Sequence, residues 1–359
     1  MTLLPVTAPI AVAPMAGGPS TPELAAAVST AGGLGMLAAG YLTADAMAAQ
    51  ITATQQLLSA VDSDTALPFG INLFVPETES DPRDPADHEA WEVYRNLLHR
   101  DFPDVGLPCE PRWSDDDWQA KLRLLTTDLH VPFVSFTFGL PRLGVVKQLQ
   151  ERGTTVGVTV TNVADAQAAL ELGVDVLIAQ GIEAGGHQST FTTAEPAPTH
   201  SIRELLDKLR PVLSNAAKPD TEVTVIAAGG VAGPHDVDEL IAAGADIVQV
   251  GTLFLTTDEA GTKPVHKAAL LSGEFEDTVL TRAFSGRLAR SLVNQFTKEF
   301  TAVAPAVYPQ VHYLTSPIRT ASAENNSPEA LNLWAGTGFV NCQELPAGVL
   351  VRWLASKAH

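Results

Sequence analysis

Cysteine is nearly absent: Cys109 and Cys342 are the only two in 359 residues. Two thiols are too few for a disulfide framework or a thiolate metal cluster, and they fit a reducing compartment, so a cytoplasmic protein is expected. Cys109 falls in a proline-rich stretch and Cys342 in the C-terminal tail, neither in a loop that follows a strand, which argues against a thiolate nucleophile. No His, Cys, Asp or Glu spacing matches a metal site. Basic residues are scarce too, with 22 Lys and Arg against 41 Asp and Glu and a formal charge of −19. Such a surface repels nucleic acid and anionic membranes, so neither is an expected partner, and its plainest consequence is solubility. No apolar run reaches the ~18 residues of a bilayer crossing. No basic segment precedes an apolar stretch and a cleavage site at the N-terminus, so no secretion signal is expected. Gly-x-Gly-x-x-Gly does not follow the first predicted strand, which removes the Rossmann reading.

What is present is apolar material: hydrophobic residues make up 45% and charged residues 18%, enough for a large core. Short β-rich runs at 10–12, 34–37, 69–73, 131–136, 155–160, 176–179, 223–227 and 247–250 alternate with helical patterns. Thr21-Pro22-Glu23 opens the first helix, with Thr21 as cap and Pro22 at the first helical position. Further helices are read at 43–59, 115–128, 141–152, 163–172, 201–213, 234–243 and 263–271. Eight apolar strands alternating with helices predict a closed parallel sheet, a (β/α)8 TIM barrel over residues 1–272. The prolines and acids of 77–114 predict an insertion after strand 3 over one mouth of the barrel, partly helical at 90–100. Residues 273–359 are expected to be a helical C-terminal extension packed on the barrel. The run Asp115-Asp116-Asp117 reads as a solvated helix start.

Barrel chemistry sits at the C-terminal ends of strands. After strand one come Ala13, Pro14, Met15, Ala16 and Gly17, small enough to let backbone approach a flat ligand. Asn72 ends strand three. After strand six come Gln180, then Gly185, Gly186 and His187. Ala228-Gly229-Gly230-Val231 follows strand seven, and Gln249-Val250-Gly251-Thr252 spans strand eight and its turn. Glycine turns in these last two loops offer backbone N–H groups and a helix dipole to a phosphate without any Lys or Arg. Alone, either turn is equally well explained as a tight connection; together they point to an anion site. His187 is the only histidine in a glycine-bearing loop after a strand, where a near-neutral imidazole can take a proton from carbon or polarise a developing anion. His88, His99, His130, His235, His266 and His359 read as helical, insertion-borne or terminal. His200 and His312 are placed in proline-bearing loops that can line a mouth.

Ala13–Gly18 with Ser20-Thr21-Pro22-Glu23-Leu24, Gly32-Gly33-Leu34-Gly35, Phe69-Gly70-Ile71-Asn72-Leu73-Phe74 and Gln180-Gly181-Ile182-Glu183-Ala184-Gly185-Gly186-His187 resemble successive blocks of the nitronate monooxygenases, formerly 2-nitropropane dioxygenases. Thr281–Arg287 and Leu333-Trp334-Ala335-Gly336 resemble the C-terminal blocks of its class I branch. The resemblance implies an FMN-bound barrel that oxidises alkyl nitronates, such as propionate 3-nitronate, with O2 to a carbonyl compound and nitrite. It implies His187 as the catalytic residue. It implies Asn72, Gln180, Gly185, Gly229, Gly230, Gln249, Gly251 and Thr252 as FMN-binding positions, with Met15 and Gly17 in the block along the flavin ring. Its partners would be a small nitronate and O2, and its assembly a monomer or homodimer. Departures fall at Gln188-Ser189, at Leu288-Ala289-Arg290-Ser291 and at Ser316, where the family carries a basic residue; they bear on how the substrate's charged group is held. The alternative is an NAD(P)H-dependent flavin reductase of the enoyl-thioester or quinone type, which shares the Glu-Ala-Gly-Gly-His loop. A flavin-binding protein without catalysis is the reading from another class.

Overall fold

The computed structural model describes residues 3–61, 67–77, 84–216 and 223–356. Eight parallel strands form one sheet: β1 (Ile10–Val12), β2 (Gly35–Ala38), β3 (Phe69–Phe74), β4 (Phe133–Thr137), β5 (Thr155–Val160), β6 (Val176–Gln180), β8 (Thr224–Ala228) and β9 (Ile247–Val250). β7 is the two-residue strand Gly186–His187, which lies outside this sheet. The strand order is β1-β9-β8-β6-β5-β4-β3-β2, and a parallel bridge between Ala11 and Leu34 joins the two ends. Leu34 N donates to Ile10 O at 2.8 Å and Val12 N to Leu34 O at 3.1 Å, which closes the TIM barrel. Nearly every strand residue is buried on both faces, which is why the strands read as apolar runs.

The intervening helices are α1 (Pro22–Thr30), α2 (Ala44–Ser59), α4 (Trp118–Arg123), α5 (Leu143–Glu151), α6 (Val163–Leu172), α7 (Ile202–Ala216), α8 (Pro234–Ala242) and α9 (Pro264–Leu271). Local signals set their ends. Thr21 caps α1, its hydroxyl accepting from Leu24 N at 3.0 Å, with Pro22 at the first position. Asn162 caps α6 in the same way, and Gly173 at φ +83° closes it.

The 77–114 insertion carries α3 (Pro85–Asp101), longer than expected because Asp84 caps it and Pro85 suits its first turn. Part of this stretch, residues 78–83, lies outside the described residues. α3 does not pack on the barrel core. Trp91, Tyr94 and Leu98 join Phe284, Phe296, Phe300, Val311 and Leu314 of the tail in a separate apolar cluster. Tyr94 Oη donates to Ala283 O at 2.7 Å and Trp91 Nε1 to Gln310 O at 3.4 Å.

The tail is helical in α10 (Gln295–Phe300), α11 (Gln310–Glu324) and α12 (Ala347–Leu354), but not throughout. Strands β10 (Thr278–Thr281) and β11 (Ala289–Leu292) form an antiparallel sheet with β7. Four-residue strands with no alternation, paired with only two residues from a distant loop, carry no periodic signal. The Asp115-Asp116-Asp117 run is not simply solvated. Asp116 accepts from Tyr41 N at 2.8 Å and pairs with Lys121 at 2.7 Å, while Asp117 accepts from Ala44 N at 3.1 Å. The helix expected at 115–128 is α4 followed by a π turn at Leu124–Asp128. Among the described residues, no helix is long and apolar enough to cross a membrane.

Candidate active site

A cavity opens at the C-terminal ends of the strands. Ala13, Pro14, Met15, Ala16, Gly17, Asn72, Gln180, Gly185, Gly186, His187, Ala228, Gly229, Gly230, Gln249, Gly251 and Thr252 all line it. The structure thus brings together all the predicted cofactor-site residues and the predicted catalytic histidine, from the ends of five strands.

The two glycine turns follow the neighbouring strands β8 and β9 and line the same cavity. Gly229 and Gly230 hold φ +121° and +74°, values that an L side chain rarely adopts. A Cβ on Gly229 would stand 3.1 Å from Ala184 N, and one on Gly230 the same distance from Glu183 Cβ. Among the described residues, the N–H groups of Gly229, Gly230 and Gly251 donate to no protein acceptor. Thr252 Oγ1 accepts from Gly336 N at 2.9 Å, tying the tail to this turn. Nearby, Gln249 Oε1 is buried with no protein partner among the described residues, an acceptor open to a donor in the cavity. Unpaired amides, an orphaned amide oxygen and glycines that leave no room for Cβ suit a phosphate-bearing, hydrogen-bonding cofactor.

Asn72 is 3% exposed and donates to Ser135 Oγ at 3.0 Å and Thr137 Oγ1 at 2.9 Å, which aims its oxygen. Gln180 is spent on its own loop: its Nε2 donates to His187 O at 3.1 Å and its Oε1 accepts from Ser189 N at 2.8 Å. That clamp shapes the turn carrying the histidine.

His187 sits in β7, where it pairs with Ala289 of β11. Its Nε2 lies 2.9 Å from Ser285 Oγ, and Ser285 Oγ donates to Arg287 O at 3.0 Å. A serine hydroxyl that donates to that carbonyl accepts from Nε2, and the matching imidazole tautomer leaves the Nδ1 lone pair free. Burial, then the nearby Arg287 and Arg319 charges, lowers the His187 pKa to about 3, so the ring is neutral. Phe138, Tyr308 and Trp334 surround it at centroid distances of 5.8, 6.0 and 5.4 Å.

Further residues complete the lining. Tyr41 and Phe138 hold φ +66° and +75° at strand ends, and such backbone outliers cluster at functional sites. His266, read as an ordinary helix residue, lines the cavity with its Nε2 buried and unpartnered. His312 is in α11 rather than a loop and stacks on Tyr41 at 4.1 Å; His200 is not part of the lining. Lys263 and Arg319 also line the cavity, whereas no Asp or Glu does among the described residues. Arg319 Nη2 donates to His312 O at 2.7 Å and its Nε to Thr315 Oγ1 at 3.2 Å, with no carboxylate partner among the described residues. Burial lowers its pKa to about 10. Ser316 lies on the other side of α11, in a surface groove.

A family model described as nitronate monooxygenase matches residues 1–356. A probable nitronate monooxygenase of Staphylococcus saprophyticus is 33% identical over 363 residues, covering 99% of this chain and 96% of that one. One from Bacillus subtilis is 35% identical over 344 residues, covering 94% and 92%. The solved structure of a nitroalkane oxidase from Streptomyces ansochromogenes superposes with a TM-score of 0.87 at 43% identity, covering 99% and 96%.

Proposed function

Because the chain belongs to the nitronate monooxygenase family of flavin-dependent oxidoreductases, we propose that it binds FMN and uses O2 to oxidise alkyl nitronates to a carbonyl compound and nitrite. The observation that carries this reading is the convergence of the two glycine turns and a neutral His187 on one cavity free of carboxylates among the described residues. FMN, with a terminal phosphate, fits the unpaired amides of Gly229, Gly230 and Gly251. Gln249 Oε1 supplies an acceptor to the same ligand. When bound, the flavin supplies electron transfer between nitronate and O2.

The protein's own residues then bind, orient and move a proton. A neutral His187 with a bare Nδ1 takes the α-proton of a nitroalkane, which leaves as the nitronate anion, and the imidazolium formed is held by Ser285. Tyr308, Phe138 and Trp334 keep water from the ring. Lys263 and Arg319 supply positive charge to a second anionic group on the substrate, as in propionate 3-nitronate. Arg319 faces the cavity from α11, whereas Ser316 lies in a separate surface groove. The NAD(P)H-dependent reductase alternative is not favoured: the relatives at 33%, 35% and 43% identity bear nitronate or nitroalkane names.

The test is the visible spectrum of the purified protein, identification of the released flavin, and nitrite release from a panel of nitronates under air. A yellow protein carrying FMN that releases nitrite supports the reading. A colourless protein that does not take up FMN, or fast anaerobic bleaching by NADPH with no nitrite formed, overturns it.

A further inference from the structure

The segment after the insertion carries a buried charge pair, Asp116 with Lys121. Lys121 is 1% exposed, yet its ammonium is not spent on solvent. It pairs with Asp116 Oδ2 at 2.7 Å and donates to Ala39 O at 2.9 Å. The other oxygen of Asp116 accepts from Tyr41 N at 2.8 Å. Asp117 accepts from Ala44 N, so two adjacent acids hold both sides of the loop after β2. They bind a strained turn: Tyr41 has φ +66°, and Asp116 and Asp117 have +60° and +54°. A non-glycine residue persists there only when its surroundings over-determine it.

That strain places the Tyr41 ring in the cavity wall, stacked on His312 at 4.1 Å and edge-on to Phe74 at 5.5 Å. Tyr41 Oη accepts from Tyr308 Oη at 3.2 Å, so its own hydrogen has no acceptor among the described residues. Tyr308 in turn stands beside His187. We propose that the Tyr41 hydroxyl donates a hydrogen bond to a substrate oxyanion, and that the buried Asp116–Lys121 pair is the positioning device that aims it. This deepens the reading above and rests on it for the identity of the reacting anion. Burial and the neighbouring Asp116 charge raise the Tyr41 pKa, so the donor keeps its proton throughout the working range. Tyr308, by donating to Tyr41, strengthens the outgoing bond.

The probe is nitrate, a planar oxyanion with the same O–N–O edge as a nitronate, titrated calorimetrically into the flavin-loaded protein. Tyr41→Phe should weaken nitrate about tenfold, the loss of one hydrogen bond to a charged acceptor, with flavin content unchanged. Asp116→Leu combined with Lys121→Met removes both charges together and buries no lone ion. It should weaken nitrate to a similar degree, yet add nothing in the Tyr41→Phe background, because its effect passes through Tyr41. Nitrate that fails to bind the wild-type protein, or that binds Tyr41→Phe as tightly as wild type, overturns the proposal. So does a further loss from the pair substitution when Tyr41 is already Phe, which marks a purely structural role. Tyr41-dependent nitrate affinity without nitrite release from any nitronate would instead sink the oxidase reading and leave this one standing.

Discussion

A histidine that is to accept a proton from carbon must be free of its own proton at the working pH. His187 meets that condition through its surroundings, because burial and two neighbouring guanidinium groups bring its pKa to about 3 from the usual 6.5. The free enzyme should therefore show no His187 inflection in kcat/KM between about pH 5 and 8, read with a preformed nitronate. An inflection near neutrality that vanishes in His187→Asn would contradict the assignment. His187→Asn should retain flavin and lose neutral nitroalkane turnover by about 100-fold or more, the ordinary worth of a general base. The same shift has a stability consequence. Between pH 6.5 and about 3 the unfolded chain binds a proton at this position and the folded chain does not, so stability rises with pH across that window and is lost as pH falls. The wild-type melting temperature should drop more from pH 7 to pH 5 than that of His187→Asn. Asp116 and Asp165, both pushed up to about 6 by burial, act in the opposite sense over the same range. They act alike in both proteins, so the comparison isolates the histidine. Equal drops would show that His187 titrates normally.

Two elements divide the proposed ligand between them. The turn after β8 presents amides only because Gly229 adopts φ +121°, a region closed to alanine. Gly229→Ala should weaken FMN by about tenfold or more, since restoring an allowed backbone gains on the order of 1–3 kcal/mol and turns the N–H away. Equilibrium dialysis of FMN checks this, and unaltered affinity would remove the turn from the cofactor site. In the proposed function, helix α11 serves the substrate side through Arg319. Arg319→Met should raise KM for propionate 3-nitronate well above its effect on ethyl nitronate, while FMN affinity stays put; equal effects on both substrates would refute the anchor. These two elements differ in how far the sequence reveals them. Glycine-bearing turns after apolar strands are local patterns, and every residue drawn from them lines the cavity. Arg319, Lys263, Tyr41 and His266 come from helices and loops whose side chains point inward only because of tertiary packing. The prolines around His312 suggest a loop, but α11 starts after Pro309 and continues through Pro317. Strand β7 is beyond local reading altogether, since its pairing partner lies about a hundred residues away.

Across the whole molecule, a chain of formal charge −19 encloses a cavity whose lining, among the described residues, holds two cations and no carboxylate. The acidic surface opposes an anionic substrate at long range, an effect screened beyond about 10 Å at 0.1 M salt. The local charges then decide binding inside. The barrel brings the glycine turns; the tail brings Phe284, His312, Arg319 and Trp334 to the same cavity. The tail's cluster is completed by the insertion, whose Trp91 and Tyr94 are 1% and 0% exposed. We infer that the insertion stabilises the tail, and through it the substrate half of the site. Tyr94→Phe isolates the link, because it deletes the bond to Ala283 O and leaves that buried carbonyl unpaired, at a cost of about 1–3 kcal/mol. Ala283 lies two residues before Ser285, the partner of His187. Hydrogen exchange should accelerate through 283–318 while β4, β5 and β6 stay protected, and nitronate KM should rise with FMN affinity unchanged. Were exchange to rise evenly through the barrel strands, or FMN to be lost in step with KM, the two halves would form one cooperative unit and the insertion would have no separate role.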